Sequence, residues 1–481
     1  MYNVCVCDGR WAVKHLYQLL SAKVDDWRAA GYPCAEYPAI AEVLTYQRDE
    51  ETGDPRYLRS PQLHALEVYW YLRLIEGTPR IADLYLRYRK EGLYATKQEL
   101  VEALGVPTAA WQEPKVDTEI ANLFEAIEND DDFVRRYKLQ TVRETLALAY
   151  PSYILALAMG AGKTVLIGAI IATEFALALE YGGTTTQTTP PVSFVENALV
   201  FAPGKTILGS LRELAAMPYE LILPPRFHAL FAPNLKLTFT RDGEKDLPII
   251  RGSRFNVVVT NTGKIQIQKE SIKSTMYKGL FAGLKGKEDE ARALVANLRL
   301  QAIASLPHLA VFSDEAHHTY GQELGAELKR VRQTVDYLGQ QTSLICVVNT
   351  TGTPYFEKQS LKDVVTWYGL GEGIAEGILK EVADGIHAYR FSAAAADGFV
   401  SEVVRDFFAR YRDVRLPNGA PAKIALYFPQ TDDLTTLRPA IERTLNELGL
   451  DPALILTNTM RSSTAEVAAF DRLNDPDARS A

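Results

Sequence analysis

The stretch Ile154 to Ala172, ILALAMGAGKTVLIGAIIA, decides the fold. An apolar run, a glycine-rich turn and a second, longer apolar run read as a buried strand, a tight turn and a helix. The turn carries Gly160, Ala161, Gly162, Lys163 and Thr164. Successive backbone N–H groups in such a turn point at one spot, and the new helix adds the positive end of its dipole, which makes a cradle for a polyphosphate. Lys163 is placed to neutralise the β and γ phosphates, and the Thr164 hydroxyl to help hold a Mg²⁺ ion that bridges them. Leu157 stands where the outermost glycine of G-x-x-x-x-G-K-[ST] belongs. A strand-to-helix turn with a surface lysine is therefore the competing reading of this stretch alone.

A second stretch, Leu309 to Tyr320, LAVFSDEAHHTY, answers it. An apolar run ending in Asp314 and Glu315 is how a central parallel strand delivers two carboxylates to the carboxyl edge of a sheet. Asp314 is placed to hold Mg²⁺ through its water shell, and Glu315 to orient and polarise the attacking water. With Ala316 and His317 the two spell D-E-A-H, and here the chain resembles the superfamily 2 helicases and translocases. Within these it is most similar to the motor subunit of type III restriction enzymes and to the related domains of the type I motor subunit and the excision-repair protein UvrB. The resemblance implies an α/β P-loop NTPase, with RecA-like parallel sheets flanked by helices, ATP and Mg²⁺ as cofactors, and double-stranded DNA as partner. His317 would join Lys163, Asp314 and Glu315 in the catalytic set.

Other segments fall in the family's order. Just before the first strand lies RRYKLQTVRETL, Arg135 to Leu146. By its location Gln140 matches the glutamine that reads the adenine edge in the family, with an exposed helix glutamine as the alternative. Ala198 to Ala202 reads as a second parallel strand, and Pro203, Gly204 and Lys205 after it resemble motif Ia, whose loop touches the nucleic-acid backbone. An ordinary strand-to-helix loop explains Lys205 equally well. Phe255 to Thr260, FNVVVT, is a third strand, with Thr260, Asn261, Thr262 and Lys264 where the family grasps a strand, and hydroxyl and amide groups are usual phosphate ligands. Thr342 to Tyr355, TSLICVVNTTGTPY, ends in Thr351, Gly352, Thr353 and Pro354. This resembles motif III, and Thr351 and Thr353 would couple the ATP site through His317 to the nucleic-acid groove.

The chain divides on this reading into a mostly helical N-terminal region, 1–130, a first RecA-like domain, 131–358, a linker, 359–422, and the start of a second RecA-like domain, 423–481. In the N-terminal region SPQLHALEVYWYLRLIEG, Ser60 to Gly77, reads as one capped helix whose Tyr69, Trp70 and Tyr71 serve core packing. Further helices are expected at Ala82 to Lys90 and Lys97 to Leu104, a helix end at Asn129 to Asp132, and others at Glu288 to Ser305 and Glu323 to Leu338. The linker contains a tyrosine-bearing strand and a helix within Val364 to Val382. The last domain opens with a strand at Lys423 to Pro429, a helix at Asp433 to Leu448, a strand at Ala453 to Thr457 and a helix at Ser462 to Asp475. The family's motifs V and VI do not occur between Lys423 and Ala481. An arginine reaching the γ phosphate is worth about 10³ to 10⁵ in rate in nucleotide hydrolases, so the chain as written is expected to bind ATP better than it turns it over.

Composition agrees with a globular protein: 481 residues, 47% hydrophobic and 23% charged, with too few cysteines for a disulfide framework. A net charge of −8 gives no support to a protein that coats nucleic acid, though a local basic groove on an acidic body is compatible with it. No secretion signal or bilayer-spanning run is read, which makes the cytoplasm the expected site. The expected function is an ATP-dependent DNA translocase or helicase motor, resembling the restriction subunit of a type III system and partnered by a DNA methyltransferase. The alternatives are a stand-alone repair or phage-defence helicase without nuclease, and a nucleic-acid-binding module switched by ATP.

Overall fold

The computed structural model describes residues 13–116, 119–182, 192–202, 211–240, 249–261, 265, 299–314, 326–356, 359–380, 396–415, 419, 421–428, 430–457, 459, 462–463, 465 and 469–470. Seven strands form one all-parallel sheet: β1 (Ser152–Leu157), β2 (Asn197–Ala202), β3 (Lys236–Phe239), β4 (Asn256–Asn261), β5 (Leu309–Ser313), β6 (Leu344–Thr351) and β9 (Val364–Tyr368), in the order β3-β4-β2-β5-β6-β1-β9. A small antiparallel pair, β7 (Tyr355–Phe356) and β8 (Gln359–Ser360), lies between β6 and β9 in the chain.

The inner strands are near-continuous apolar runs because helices cover both faces of a parallel sheet. All six residues of β1 and all five of β5 are buried. One face carries α10 (Lys163–Tyr181) and the helix Pro225–Phe231; the other carries the helical turns at 299–304 and the helix Ala326–Gln341. Among the described residues α10 is the one helix long and apolar enough to cross a membrane, and most of it is buried in this core.

Among the described residues nine helices precede the sheet: α1 (Leu16–Ala29), α2 (Ala39–Tyr46), α3 (Ser60–Trp70), α4 (Ile81–Lys90), α5 (Lys97–Leu104), α6 (Thr108–Trp111), α7 (Ile120–Asn129), α8 (Asp131–Tyr137) and α9 (Gln140–Leu146). The expected helix from Ser60 is present, but after Trp70 it widens into a π-helical turn, Tyr71–Ile75, before Gly77. Tyr69 and Trp70 are fully buried, as their packing role requires. The Thr96 hydroxyl accepts from the Glu99 N–H and Gly105 takes a left-handed conformation, which fixes the two ends of α5. Asp130 closes α7 and caps α8, its carboxylate accepting from the Phe133 N–H at 2.8 Å.

The packing does not separate the N-terminal helices from the sheet. One core joins Leu63, Leu66 and Trp70 of α3 to Ile167, Ile170 and Phe175 of α10, and the chain divides instead into a compact unit of 1–381 and a second of 382–481. The strand expected within the linker is β9, a full member of the sheet, whose backbone bonds to β1. In the second unit the helices Ala396–Tyr411 and Thr431–Glu447 pack through Val400, Val404, Ile441 and Leu445. The strands expected at Lys423 to Pro429 and Ala453 to Thr457 are not found there: the described part of the first is irregular with Tyr427 exposed, and the second begins in a 3₁₀ turn, Pro452–Leu454. An apolar run becomes a strand only where a neighbouring strand accepts its hydrogen bonds, and the described residues of this unit offer none. Most of the helix expected at Ser462 to Asp475 lies outside the described residues, as does the segment 288–298.

Candidate functional site at the carboxyl edge of the sheet

In a parallel sheet all carboxyl ends lie along one edge, and this is where the candidate residues gather. After Leu157 the chain leaves β1, the Ala158 N–H donating to the carbonyl of Tyr368 at the end of β9, 2.8 Å. The Ala161 N–H then donates back to the Ala158 carbonyl at 3.1 Å, closing a tight turn. Gly160 and Gly162 sit at φ +81° and +84°, the left-handed region that costs a residue with a Cβ roughly 1–2 kcal/mol. Gly162 is the N-cap of α10. Lys163 follows as its first residue and is buried; Thr164, half-buried, is next.

Two strands away Asp314 follows β5. Register places it: Ser313 pairs with Asn349 of β6, so Asp314 stands level with Thr350. The Thr350 hydroxyl donates to Asp314 Oδ1 at 2.9 Å, and both residues are buried. Sequence reasoning misses Thr350: the T-G-T-P pattern draws the eye to Thr351 and Thr353, while strand alternation turns Thr350 toward Asp314. Thr351 is buried and its hydroxyl accepts from the Thr353 N–H at 3.1 Å, which folds the T-G-T turn on itself. Gly352 brings this turn against the glycine turn: a Cβ there would meet the Leu157 carbonyl and the Met159 nitrogen, each at 3.3 Å. The tip of β6, lying between β5 and β1, thus touches both candidate segments.

The donor set suits Mg²⁺, which takes hydroxyl and one or two carboxylate oxygens and completes its octahedron with water and phosphate. Thr164 and Asp314 provide such oxygens, and no group of three or more His, Cys, Asp or Glu that could cage a metal occurs among the described residues. Cys34 and Cys346 are free thiols.

Glu315 and His317 lie outside the described residues, as do Pro203, Gly204, Lys205, Thr262 and Lys264. Asn261 ends β4 beside Ala202 of β2, so its backbone stands at the same edge. Thr260 is fully buried, and its hydroxyl accepts from Thr240 at 3.0 Å. It offers no surface to a phosphate, because both faces of β4 are covered and its neighbours Val258 and Val259 are buried as well. Gln140 is exposed at the first position of α9, a helix packed against α4, α7 and α8.

The structure brings a different glutamine to the turn. Gln62, on the first turn of α3, donates from Nε2 to the Gly162 carbonyl at 2.8 Å, and Arg59 Nη1 donates to the Gly160 carbonyl at 2.8 Å. From sequence these two residues read only as the start of a helix. Leu379 also lies against the turn, leaving little room for a side chain at Gly160, and the Tyr368 hydroxyl, at the end of β9, donates to Glu376 at 2.9 Å. Comparison with known proteins finds no matching family model and no matching curated protein.

Proposed function

We propose that this chain is an ATP-dependent motor of the superfamily 2 helicase class, built on a RecA-like P-loop domain and acting on double-stranded DNA in the cytoplasm. The observation that carries the reading is the meeting of two distant segments on one sheet edge. The glycine turn after β1 and Asp314 after β5 flank the tip of β6, which touches both. A turn with two left-handed glycines at the head of a long helix suits the β and γ phosphates of ATP, with Lys163 as their counter-charge. Mg²⁺, when bound, would screen the phosphates, with the Thr164 hydroxyl and the Asp314 carboxylate supplying protein oxygens. Glu315, the next residue, would take the proton of the attacking water. The bond from the Thr350 hydroxyl to the Asp314 carboxylate, together with the Thr351 to Thr353 turn, supports a link between this site and the edge beyond β5. DNA as the track, and a methyltransferase as partner in a type III restriction system, enter through the resemblance of D-E-A-H and T-G-T-P and their order along the chain.

The test is nucleotide binding and DNA-stimulated hydrolysis by the complete protein. Lys163→Ala should weaken Mg·ATP by roughly 1.5–3 kcal/mol, the worth of a charge-assisted bond. Glu315→Gln should leave binding intact and lower turnover by about 10² to 10⁴. Nucleotide affinity indifferent to Lys163 would refute the site; binding without DNA-dependent turnover would favour an ATP-switched binding module.

A further inference from the structure

Helix α3 belongs to the N-terminal helices, which carry no recognisable chemistry in sequence, yet both of its ends are tied to α10. At its start, Gln62 and Arg59 bond to the carbonyls of the two left-handed glycines. Gln62 is itself fixed, since its Oε1 accepts from the Arg59 backbone N–H at 2.7 Å and the residue is 3% exposed. At its far end the Tyr69 hydroxyl donates to Glu174 at 2.6 Å, Trp70 Nε1 to Thr173 at 3.1 Å, and Arg73 of the π-helical turn to Glu174 at 2.7 Å. Gln62 to Arg73 and Gly162 to Glu174 are nearly equal lengths of chain. The two helices therefore lie side by side in the same direction, pinned at top and bottom.

The bonds at the turn have a directional consequence. A trans peptide points its C=O and its N–H to opposite sides. The Gly162 carbonyl accepts both from Gln62 and, as the first helical bond of α10, from the Leu166 N–H at 3.2 Å, so the Lys163 N–H, across the same peptide, faces out of the first turn of α10, and Gln62 reinforces that orientation. Arg59 holds the Gly160 carbonyl, whose peptide partner, the Ala161 N–H, closes the turn onto Ala158. The geometry points to Arg59 and Gln62 as positioning residues that keep the glycine turn in its anion-receiving shape, so that triphosphate affinity depends on the N-terminal helices. This rests on the ATP reading above. It goes beyond that reading by assigning a role in nucleotide affinity to residues outside the loop and outside the sheet.

Four variants of the complete protein test it, with binding of a fluorescent ATP analogue in Mg²⁺ and nucleotide-free hydrogen exchange of residues 157–166 as readouts. Gln62→Met keeps length and neutrality but removes the donor; it should weaken binding roughly three- to tenfold, the range of one hydrogen bond, and speed exchange in the turn. Arg59→Ala should do the same, and Arg59→Lys, which retains a donor, should recover part of the loss. Tyr69→Phe removes a bond at the far end of α3; it should lower the melting temperature and leave nucleotide affinity unchanged. If wild-type binding requires Lys163 but neither Gln62→Met nor Arg59→Ala changes affinity or exchange, the positioning role is overturned while the ATP site stands. If the wild-type protein binds no nucleotide, the ATP reading falls and takes this inference with it.

Discussion

Asp363, the residue before β9, is a fully buried carboxyl whose nearest side-chain partner is the Thr145 hydroxyl at 3.5 Å. Burial pushes its pKa up to about 7; its own backbone, Thr145 and the distant Arg332 pull the other way without prevailing. The sign follows from proton counting: between about pH 4 and pH 7 the folded protein holds a proton that the unfolded chain has released, so stability falls as pH rises through that window and levels off above it. Asp363→Asn, of the same shape and neutral at every pH, should remove this slope and raise stability at pH 8 by up to roughly 4 kcal/mol. Urea unfolding of both proteins at pH 5 and pH 8 checks it; parallel slopes with pH would refute the assignment. Nothing in the sequence marks Asp363, since a single acid before an apolar run reads as a solvated strand end. Its burial is set by β1 and α9, which reach it from elsewhere in the chain.

At the scale of elements, the contact between α3 and α10 turns on one buried ion pair. Arg73 is almost wholly enclosed, and its guanidinium reaches Glu174 at 2.7 Å and the Ser193 carbonyl at 2.7 Å. Glu174 is enclosed as well and also accepts from Tyr69 and from the Val195 N–H at 2.8 Å. Both charges are kept because every donor and acceptor finds a partner. Arg73→Met would leave the Glu174 charge uncompensated in the core and should cost about 3–5 kcal/mol, read as a lower urea midpoint with an unchanged slope. A loss under about 1 kcal/mol would show that the site relaxes or admits water. In sequence the acid inside the otherwise apolar run of α10 is visible, but its partner, about a hundred residues upstream, is not. Secondary structure was legible where the periodicity was strong: β1, β2, β4, β5, β6 and α5 fall where the pattern places them. Lys423 to Pro429 failed because an apolar run cannot itself supply the adjacent strand.

At the scale of the molecule, the first unit is one core from α1 to β9. Trp70 and Leu66 pack against the same helix that the glycine turn begins, and α1 lies on β9 through Tyr17 and Trp367, whose rings stack at 5.8 Å. A fragment of residues 1–381 should therefore melt in one cooperative transition and, under the proposed function, bind Mg·ATP in a way that requires Lys163. A fragment of residues 131–381, which bares the buried face of α10, should not reach a folded state, giving collapsed amide dispersion and no cooperative melt. Cooperative folding of the shorter fragment would mean that the N-terminal helices are a separable domain, as a division of the chain at residue 130 implies.

The sequence by itself determined a parallel α/β sheet, the strand-turn-helix at Ile154 to Ala172 and the strand that leads into Asp314. Apolar runs of strand length, glycines before a lysine and acids after a strand are local facts that depend on little beyond their neighbours. Only the tertiary structure decided that Thr350 holds Asp314, that Gln62 and Arg59 reach the glycine turn while Gln140 stands exposed on α9, that Thr260 turns inward, and that the N-terminal helices share the sheet's core. Each of these depends on which side chains meet across long stretches of chain, and that is set by strand register and helix packing, which leave no periodic trace in the residues themselves.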